Sequence, residues 1–191
     1  MKVILEEYTN PINLGKYAGI CYGREGNDEK RLAHIIGVGH LSVLRFGSAV
    51  FRIEGISRVC LAQLTRSKHL DYLVRSSRYC DESEAEVYFP VAFETLDPEN
   101  LNVIDKHIQD AFQLYKELRE GGFTKQDARY ILPQSQETEL YVCGNYQAWV
   151  DFIKLRTSKS AQLEVREVAR KIELHLQHVA PIIFGVPNDL D

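Results

Sequence analysis

The sequence predicts an α+β fold, a single domain over residues 1–191 in which a mixed sheet packs with helices. Three observations favour this class. A chain of 191 residues suits one hydrophobic core. The apolar fraction of 45% and the charged fraction of 26% are ordinary for a globular protein. Segments with a strand period and segments with a helical period are mixed along the chain, without a repeating strand–helix–strand order.

In the first part of the chain, residues 2–8 are expected to form a strand, and residues 47–54 alternate as a strand. A helix is expected from Asn27-Asp28, which can cap it, to about Ile36. From Ser57, which is also suited to an N-cap, the spacing becomes helical.

The second part is mainly helical. Its apolar residues keep a helical period over long stretches, which are bounded by capping residues, glycines and prolines. Residues 138–143 favour a strand instead. Four helices are expected here. The first runs from Pro98 to Gly121-Gly122, and the second is a short helix over 127–129 that Thr124 can cap. The third runs from Asn145 to about Leu155, and the fourth runs from Ser160 to about His178 and ends before Pro181.

Charge and composition argue against several classes of function. A net charge of −4 does not favour a nucleic-acid groove. No apolar run reaches the roughly 18 residues of a membrane span, and the N-terminus does not read as a signal peptide. The four cysteines form no CxxC pair, so we expect reduced thiols in a cytoplasmic protein and no metal site.

The segment 63–79 holds the most informative residues. Four cations, one histidine and three serines fall within it. Arginine forks and hydroxyl groups together suit a phosphate dianion. On composition alone, a solvated helix face followed by a polar loop is the favoured interpretation.

The spacing in this segment resembles the signature of the flavin-dependent thymidylate synthases. That signature reads Arg-His-Arg, seven residues, Ser, one residue and Arg-Tyr, with a Gln three residues before the first Arg. The residues at the matching places are Gln63, Arg66, Ser76, Arg78 and Tyr79. Ser67 and Lys68 replace the family's His and second Arg.

Other segments extend the resemblance from about residue 39 to 168. Gly39–Ser42 is similar to the family's Gly-His segment, and 128–133 is similar to its Ala-Arg-x-x-Leu-Pro. Asn145, Leu155-Arg156 and 161–166 resemble its Asn, Leu-Arg and Ala-Gln-Trp-Glu-Ile-Arg.

The resemblance implies a thymidylate synthase that converts dUMP to dTMP. Methylenetetrahydrofolate would supply the carbon, and FAD, reduced by NADPH, would supply the hydride. Catalytic roles are implied for Arg66, Ser76 and Arg156, since cationic groups polarise the ring carbonyls of the base. The implied dUMP contacts are Gln63, Arg66, Ser76, Ser77, Arg78, Arg129 and Arg156. The implied FAD contacts are His40, Ser42, Arg66, Ser67, Lys68, Asn145, Gln147 and Asp151.

The flavin half departs from the family pattern at several positions. Leu73-Val74 stands where the family has Asn-Glu, Gln147 where it has Arg, and Asp151 where it has Asn. Each lost charge-assisted hydrogen bond costs about 1.5–3 kcal/mol. Two alternatives therefore stay open: a divergent pyrimidine-nucleotide hydroxymethylase, and a non-enzymatic nucleotide-binding homologue that has lost flavin.

The resemblance also implies a homotetramer, because the family builds each active site from several subunits. The apolar stripes on the two helices predicted after Asn145 agree with this, since they offer more apolar surface than we expect so short a chain to need.

Overall fold

The computed structural model describes residues 1–185. Short 3-10 turns link some of its elements. The strands and helices are β1 Lys2–Tyr8, α1 Ile12–Gly19, α2 Asp28–Gly37, β2 Ser48–Ser57, α3 Arg58–Leu64, β3 Leu70–Val74, α4 Pro98–Glu120, α5 Lys125–Ala128, β4 Glu137–Asn145, α6 Tyr146–Arg156, α7 Leu163–Val179 and α8 Pro181–Phe184.

The strands form one four-stranded sheet, in the order β1-β2-β4-β3. The α+β class is confirmed, but the sheet is antiparallel rather than mixed. The register of β2 and β4 shows why. Gly47 O, just before β2, accepts from Tyr146 N at 2.9 Å, and Arg58 N, just after it, donates to Gln136 O at 3.1 Å. The start of β2 therefore faces the end of β4, so the two strands run in opposite directions.

The contacts divide the chain into two compact units. Unit 1 comprises Met1–Ile53, Gln63–Leu73 and the chain from Tyr141 onward, and unit 2 comprises Glu54–Ala62 and Val74–Leu140. β2 and β4 each contribute residues to both units. The single domain over 1–191 stays a prediction, and its last residues, 186–191, lie outside the described residues.

Unit 1 is built around aromatic residues of β2 and α6. Trp149 is fully buried, donates from Nε1 to Ala49 O at 3.2 Å and meets the Phe51 ring edge-on at 5.1 Å. Tyr146 donates its hydroxyl to Thr9 O, and burial raises the pKa of Tyr146 to about 12. The apolar stripe of α7 is also fully buried in this unit, at Val165, Val168, Ala169, Ile172 and Leu176.

Unit 2 has a smaller core, packed on α4. Ile108 and Tyr115 are the buried residues of that helix. The Tyr115 hydroxyl accepts from the buried backbone N–H of Glu82 at 3.4 Å. Burial raises the pKa of Tyr115, so the hydroxyl stays neutral at ordinary pH.

Two of the predicted N-caps are confirmed and one is wrong, and Asn145, which was predicted as the first residue of a helix, is a further N-cap. Ser57 Oγ accepts from Cys60 N at 3.0 Å, Thr124 accepts from Asp127 N, and Asn145 accepts from Ala148 N at 2.9 Å. Asn27 makes no side-chain cap bond, because its backbone is left-handed with φ of 54°. Asp28 instead binds Arg31 Nη1 through Oδ1 at 2.7 Å.

Three elements were not predicted, and one begins later than expected. α1, β3 and α8 lie in segments that the sequence pattern left without an element. α7 begins at Leu163 rather than near Ser160. Within residues 1–185, no helix is both long and apolar enough to cross a membrane.

Candidate functional site

The segment 63–79 passes from unit 1 into unit 2. It begins at the end of α3, turns through residues 65–69, forms β3 and then turns again from Ser77. His69 in the first turn has a left-handed backbone, with φ of 64°. The predicted nucleotide residues are therefore divided: Gln63, Arg66 and Arg156 belong to unit 1, and Ser76, Ser77, Arg78 and Arg129 belong to unit 2.

A cationic cleft of about 390 Å³ lies in unit 2. Arg129 enters it from the 3-10 turn after α5, and Ser77 enters it from the turn after β3. Arg129 Nη1 donates to Ser77 Oγ at 3.1 Å, and Ser77 is only 6% exposed. The structure thus brings together two predicted nucleotide residues that are far apart in the sequence.

Arg58 also lines this cleft, and sequence reasoning missed it. Burial lowers the pKa of the Arg58 guanidinium, the negative charge of Glu82 raises it, and the positive charges of Arg129 and Arg75 lower it. An arginine remains charged in spite of such a shift. A phosphate dianion in the cleft would relieve the repulsion between Arg58 and Arg129.

Ser76 and Arg78 have different surroundings. Ser76 Oγ accepts from the backbone N–H of Arg78 at 3.3 Å, which holds the turn. The Arg78 side chain is exposed, and its guanidinium carbon lies 5.8 Å from the centroid of the Tyr79 ring. Neither residue belongs to the cleft lining among the described residues.

In unit 1, Gln63 and Arg156 are brought together at the end of α3. Arg156 Nη2 donates to Gln63 O at 2.8 Å, and Gln63 Nε2 donates to Gln162 Oε1. Tyr72 donates its hydroxyl to Leu64 O at 2.6 Å, and burial raises the pKa of Tyr72. The last carbonyls of α3 are thereby satisfied, which fixes the backbone that carries the Gln63 amide.

Arg66 stands apart from this cluster. It lies on the turn after α3, and its side chain is exposed. In the same turn, Ser67 is half-buried and Lys68 is exposed. Of the three positions that match the family's Arg-His-Arg, Arg66 and Lys68 therefore lie on the surface of unit 1, whereas Ser67 is partly covered.

Two of the predicted flavin residues, His40 and Ser42, line a second cavity in unit 1. Its volume is about 710 Å³, and apolar and aromatic side chains dominate its lining, among them Tyr17, Tyr22 and Phe46. The Tyr17 and Phe46 rings lie 6.4 Å apart. Such a wall fits a planar aromatic ring with polar groups at its edge, so these residues suit a flavin ring.

The remaining predicted flavin residues lie on α6. Asn145 is its N-cap, and Gln147 Nε2 donates to Asp151 Oδ1 at 3.1 Å. The two substituted positions therefore bind each other, one turn apart. This pair satisfies one carboxylate oxygen of Asp151 with an amide but leaves its negative charge in place.

Neither the cysteines nor any other side chains form a metal centre in the part of the chain that the structure describes. All four cysteines are free thiols, of which Cys21 is exposed and Cys60 is buried. Within residues 1–185, no group of three or more His, Cys, Asp or Glu side chains is arranged to hold a metal ion.

Comparison with known proteins relates most of this chain to one family. The family model described as "Thymidylate synthase complementing protein" matches residues 5–182. The flavin-dependent thymidylate synthase of Mycobacteroides abscessus is 38% identical over 177 residues, which cover 85% of this chain and 70% of that protein.

Two other relatives carry the same printed name. The protein of Mycolicibacterium gilvum is 37% identical over 195 aligned positions, covering 90% of this chain and 78% of its own length. That of Mycobacterium tuberculosis is 37% identical over 169 residues, covering 81% of this chain and 67% of its own length.

Proposed function

Because this chain belongs to the thymidylate synthase complementing protein family, we propose that it is a flavin-dependent thymidylate synthase that converts dUMP to dTMP. Methylenetetrahydrofolate is the carbon donor and NADPH the reductant. The family and its named relatives support the activity, the dUMP and folate substrates, and the flavin cofactor.

The observation that best supports a nucleotide site is the cleft of unit 2. Arg129, bound to the buried Ser77, and Arg58 supply two guanidinium groups and a hydroxyl to one cleft. Guanidinium groups make charge-assisted, often bidentate hydrogen bonds to phosphate oxygens. In the proposal, this cleft holds the 5′-phosphate.

Gln63 and Arg156 contact the base in this proposal. A primary amide can pair with the edge of a pyrimidine, since it offers both a donor and an acceptor. The Arg156 guanidinium stabilises the negative charge that develops on the ring carbonyls during attack on the carbon donor. Arg66 and Ser76, both in the signature segment, are the other two residues with a proposed catalytic role.

FAD is the proposed cofactor, and the apolar cavity that His40 and Ser42 line would hold its ring. When bound, reduced flavin supplies the hydride that completes the methyl group. The protein contributes the aromatic wall, the polar edge and the exclusion of water from the ring. The remaining proposed contacts with FAD come from Ser67, Lys68, Asn145, Gln147 and Asp151.

Turnover by the purified chain tests the activity. We expect thymidylate when the protein is incubated with dUMP, FAD, methylenetetrahydrofolate and NADPH, as identified by mass analysis of the nucleotide. Omission of FAD should abolish the product. A hydroxymethylated nucleotide would instead identify the divergent hydroxymethylase, and nucleotide binding without any product would identify the non-enzymatic homologue.

A pair of variants tests the cleft. Arg129→Gln should raise the Kd for dUMP by at least about tenfold, since it removes a charged partner of the phosphate. Arg170→Gln is the matched control, because Arg170 is an exposed residue of α7. If the two variants bind dUMP with equal affinity, the phosphate does not bind in this cleft.

A further inference from the structure

Arg31, in the first turns of α2, binds four acceptors at once, and the proposed function gives it no role. Its Nη1 donates to Gly15 O at 2.9 Å and to Asp28 Oδ1 at 2.7 Å. Its Nη2 donates to Arg24 O at 3.1 Å and to Gly26 O at 2.7 Å. The side chain is 12% exposed. One guanidinium group therefore ties together α1, the loop that follows it and the start of α2.

The loop of residues 23–27 needs such support because of its backbone. Gly26 and Asn27 are both left-handed, with φ of 76° and 54°. Asn27 adopts this conformation at a cost, since it has a Cβ, and its side chain does not cap α2. The bonds from Arg31 to the carbonyls of Arg24 and Gly26 offset this cost and fix the path of the loop.

α1 is packed directly on the segment that Arg31 holds. A Cβ on Gly15 would lie 1.9 Å from Asp28 O, and a Cβ on Gly19 would lie 2.7 Å from Arg24 O. Only glycine allows so close an approach of two backbones. Arg24 N also donates to Gly19 O at 3.2 Å. The end of α1 and the loop are therefore held as one assembly, with the Arg31 guanidinium at its centre.

A 3-10 turn, Ile20–Tyr22, lies between α1 and this loop, and all of its residues line the cavity proposed for the flavin ring. None of these residues is buried. Packing in the core therefore does not fix the turn, and its position depends on the backbone at its two ends. Arg31 binds both ends, at Gly15 O in α1 and at Arg24 O in the loop.

We propose that Arg31 is a positioning residue, which holds the turn Ile20–Tyr22 in place as one wall of the flavin cavity. This inference rests on the proposed function, since it assigns the flavin ring to that cavity. Among the residues that the structure describes, Arg31 is not part of the cavity lining, so it acts through the backbone that it binds. A lysine would keep the charge but, with its donors on a single nitrogen, could not reproduce the two-pronged set of bonds.

Arg31→Lys in the full chain tests this role, because it retains the charge and removes the fork. We expect it to raise the Kd about tenfold both for FAD and for riboflavin, which carries the ring without the phosphates. Titration followed by flavin fluorescence measures both. The Kd for dUMP should stay within about twofold of wild type, because the proposed phosphate cleft belongs to unit 2. Wild-type affinity for riboflavin, or an equal loss for dUMP, overturns the proposal.

Arg24→Lys is the matched control. Arg24 is an exposed residue of the same loop, and it binds Arg31 through its backbone carbonyl, which the substitution leaves in place. The chemical change is the same as in Arg31→Lys, so the Kd for FAD and for riboflavin should stay within about twofold of wild type. If both variants lose flavin affinity equally, the effect does not come from the bonds of Arg31, and the proposal is wrong.

Cys21 reports on this wall of the cavity without any turnover. It is an exposed thiol in the turn, and it lines the cavity. We expect saturating FAD to slow alkylation of Cys21 in the wild type, as located by peptide mass analysis. In Arg31→Lys, at equal FAD occupancy, this protection should be lost. A residue that only stabilises the fold would lower the free energy of unfolding and leave the protection intact, and that result overturns the proposal.

A second variant keeps the test possible if Arg31→Lys does not fold. Asp28→Asn weakens the same set of bonds, since it removes the charge from the acceptor that lies 2.7 Å from Arg31 Nη1. It should raise the Kd for riboflavin more than the Kd for dUMP. Wild-type affinity for riboflavin in this variant overturns the proposal.

Failure of the proposed function gives a different result. Flavin binding that depends on Arg31, in a protein that forms no thymidylate, retains the inference and loses the activity. Thymidylate formation with no effect of Arg31→Lys on flavin binding does the reverse. If FAD binds to the wild type but does not protect Cys21, the flavin ring does not lie in this cavity, and the inference is wrong whatever the turnover.

Discussion

At the scale of single residues, two arginines three positions apart in the sequence have different partners. Arg75 lies within 3.6 Å of Glu82 and 3.5 Å of Glu139, so its charge is already compensated. The Arg78 side chain is exposed beside the Tyr79 ring. Arg78 also stands at the arginine of the family signature, whereas Arg75 stands at one of its variable positions.

We therefore expect Arg78→Ala to weaken dUMP binding far more than Arg75→Ala. Removal of a charged contact of the nucleotide, the role that the signature implies for Arg78, should cost about 2–4 kcal/mol, or roughly 30-fold to 1,000-fold in Kd. Calorimetric titration of dUMP into each variant measures the difference. Equal losses would show that the alignment of this segment with the signature is wrong.

The residue scale also shows what a motif can and cannot reveal. Position in the signature and in Ala-Arg-x-x-Leu-Pro predicted Ser77 and Arg129, and these two form a hydrogen bond. Arg58 carries no motif signal, because it lies in the first turn of α3, eight residues before the signature arginine. Its place in the cleft follows from tertiary packing, which periodicity does not report.

At the scale of elements, the start of α6 shows that one residue can serve both the stability of a helix and the proposed cofactor site. Asn145 Oδ1 accepts from Ala148 N, which satisfies one of the free N–H groups of the first turn. The same residue is a predicted flavin contact. A substitution there changes both the helix and the proposed cofactor site, so the two effects need separate measurements.

We expect Asn145→Ala to lower the free energy of unfolding by about 1 kcal/mol, the usual cost of losing an N-cap. Asn145→Asp should remain close to wild type, because aspartate also caps helices. Urea denaturation without added flavin measures this stability alone. Equal stability of the two variants would mean that the cap contributes little to α6.

The same reasoning explains which elements the sequence predicts. α4 and α7 have a clear helical period, and the caps of α3 and α5 are polar residues at the expected places. β3 was missed because Leu73, on its outer face, is apolar although it is 76% exposed, so the sequence does not show the alternation that the burial of the strand has. α1 contains Gly15, and glycine lowers the helical propensity of so short a segment.

At the scale of the whole molecule, one reason for expecting a homotetramer is wrong. The apolar stripe of α7 is buried within unit 1, where Val168, Ile172 and Leu176 have no exposed surface. Among the exposed apolar groups elsewhere in unit 1, Ile20 is 87% exposed and Phe46 is 69% exposed.

The homotetramer itself stays a prediction, supported by the family resemblance and by these exposed groups. Light scattering coupled to size exclusion should give a mass four times that of the chain at micromolar concentration. A monomer at that concentration would contradict both the assembly and an active site shared between subunits.

Taken as a whole, the molecule retains its predicted nucleotide contacts better than its flavin contacts. The arginines and serine proposed for phosphate are present, and two of these residues already form a hydrogen bond. On the flavin side, Lys68 is a point charge without the planar fork of arginine. Asp151 retains a negative charge, although Gln147 donates to it at 3.1 Å.

We therefore expect dUMP to bind more tightly than free FAD, and the protein to purify with little flavin. If the flavin ring stacks on the uracil, bound dUMP must raise the affinity for FAD, and FAD must raise the affinity for dUMP by the same factor. Titration of each ligand with and without the other measures this factor, with flavin absorbance as one signal and calorimetry as the second.

Lys68→Arg, which restores the planar fork of an arginine, should tighten FAD binding, while dUMP alone should bind as it does to the wild type. A protein that purifies saturated with FAD, and holds it tightly without nucleotide, would show that the substitutions at Lys68, Gln147 and Asp151 cost little.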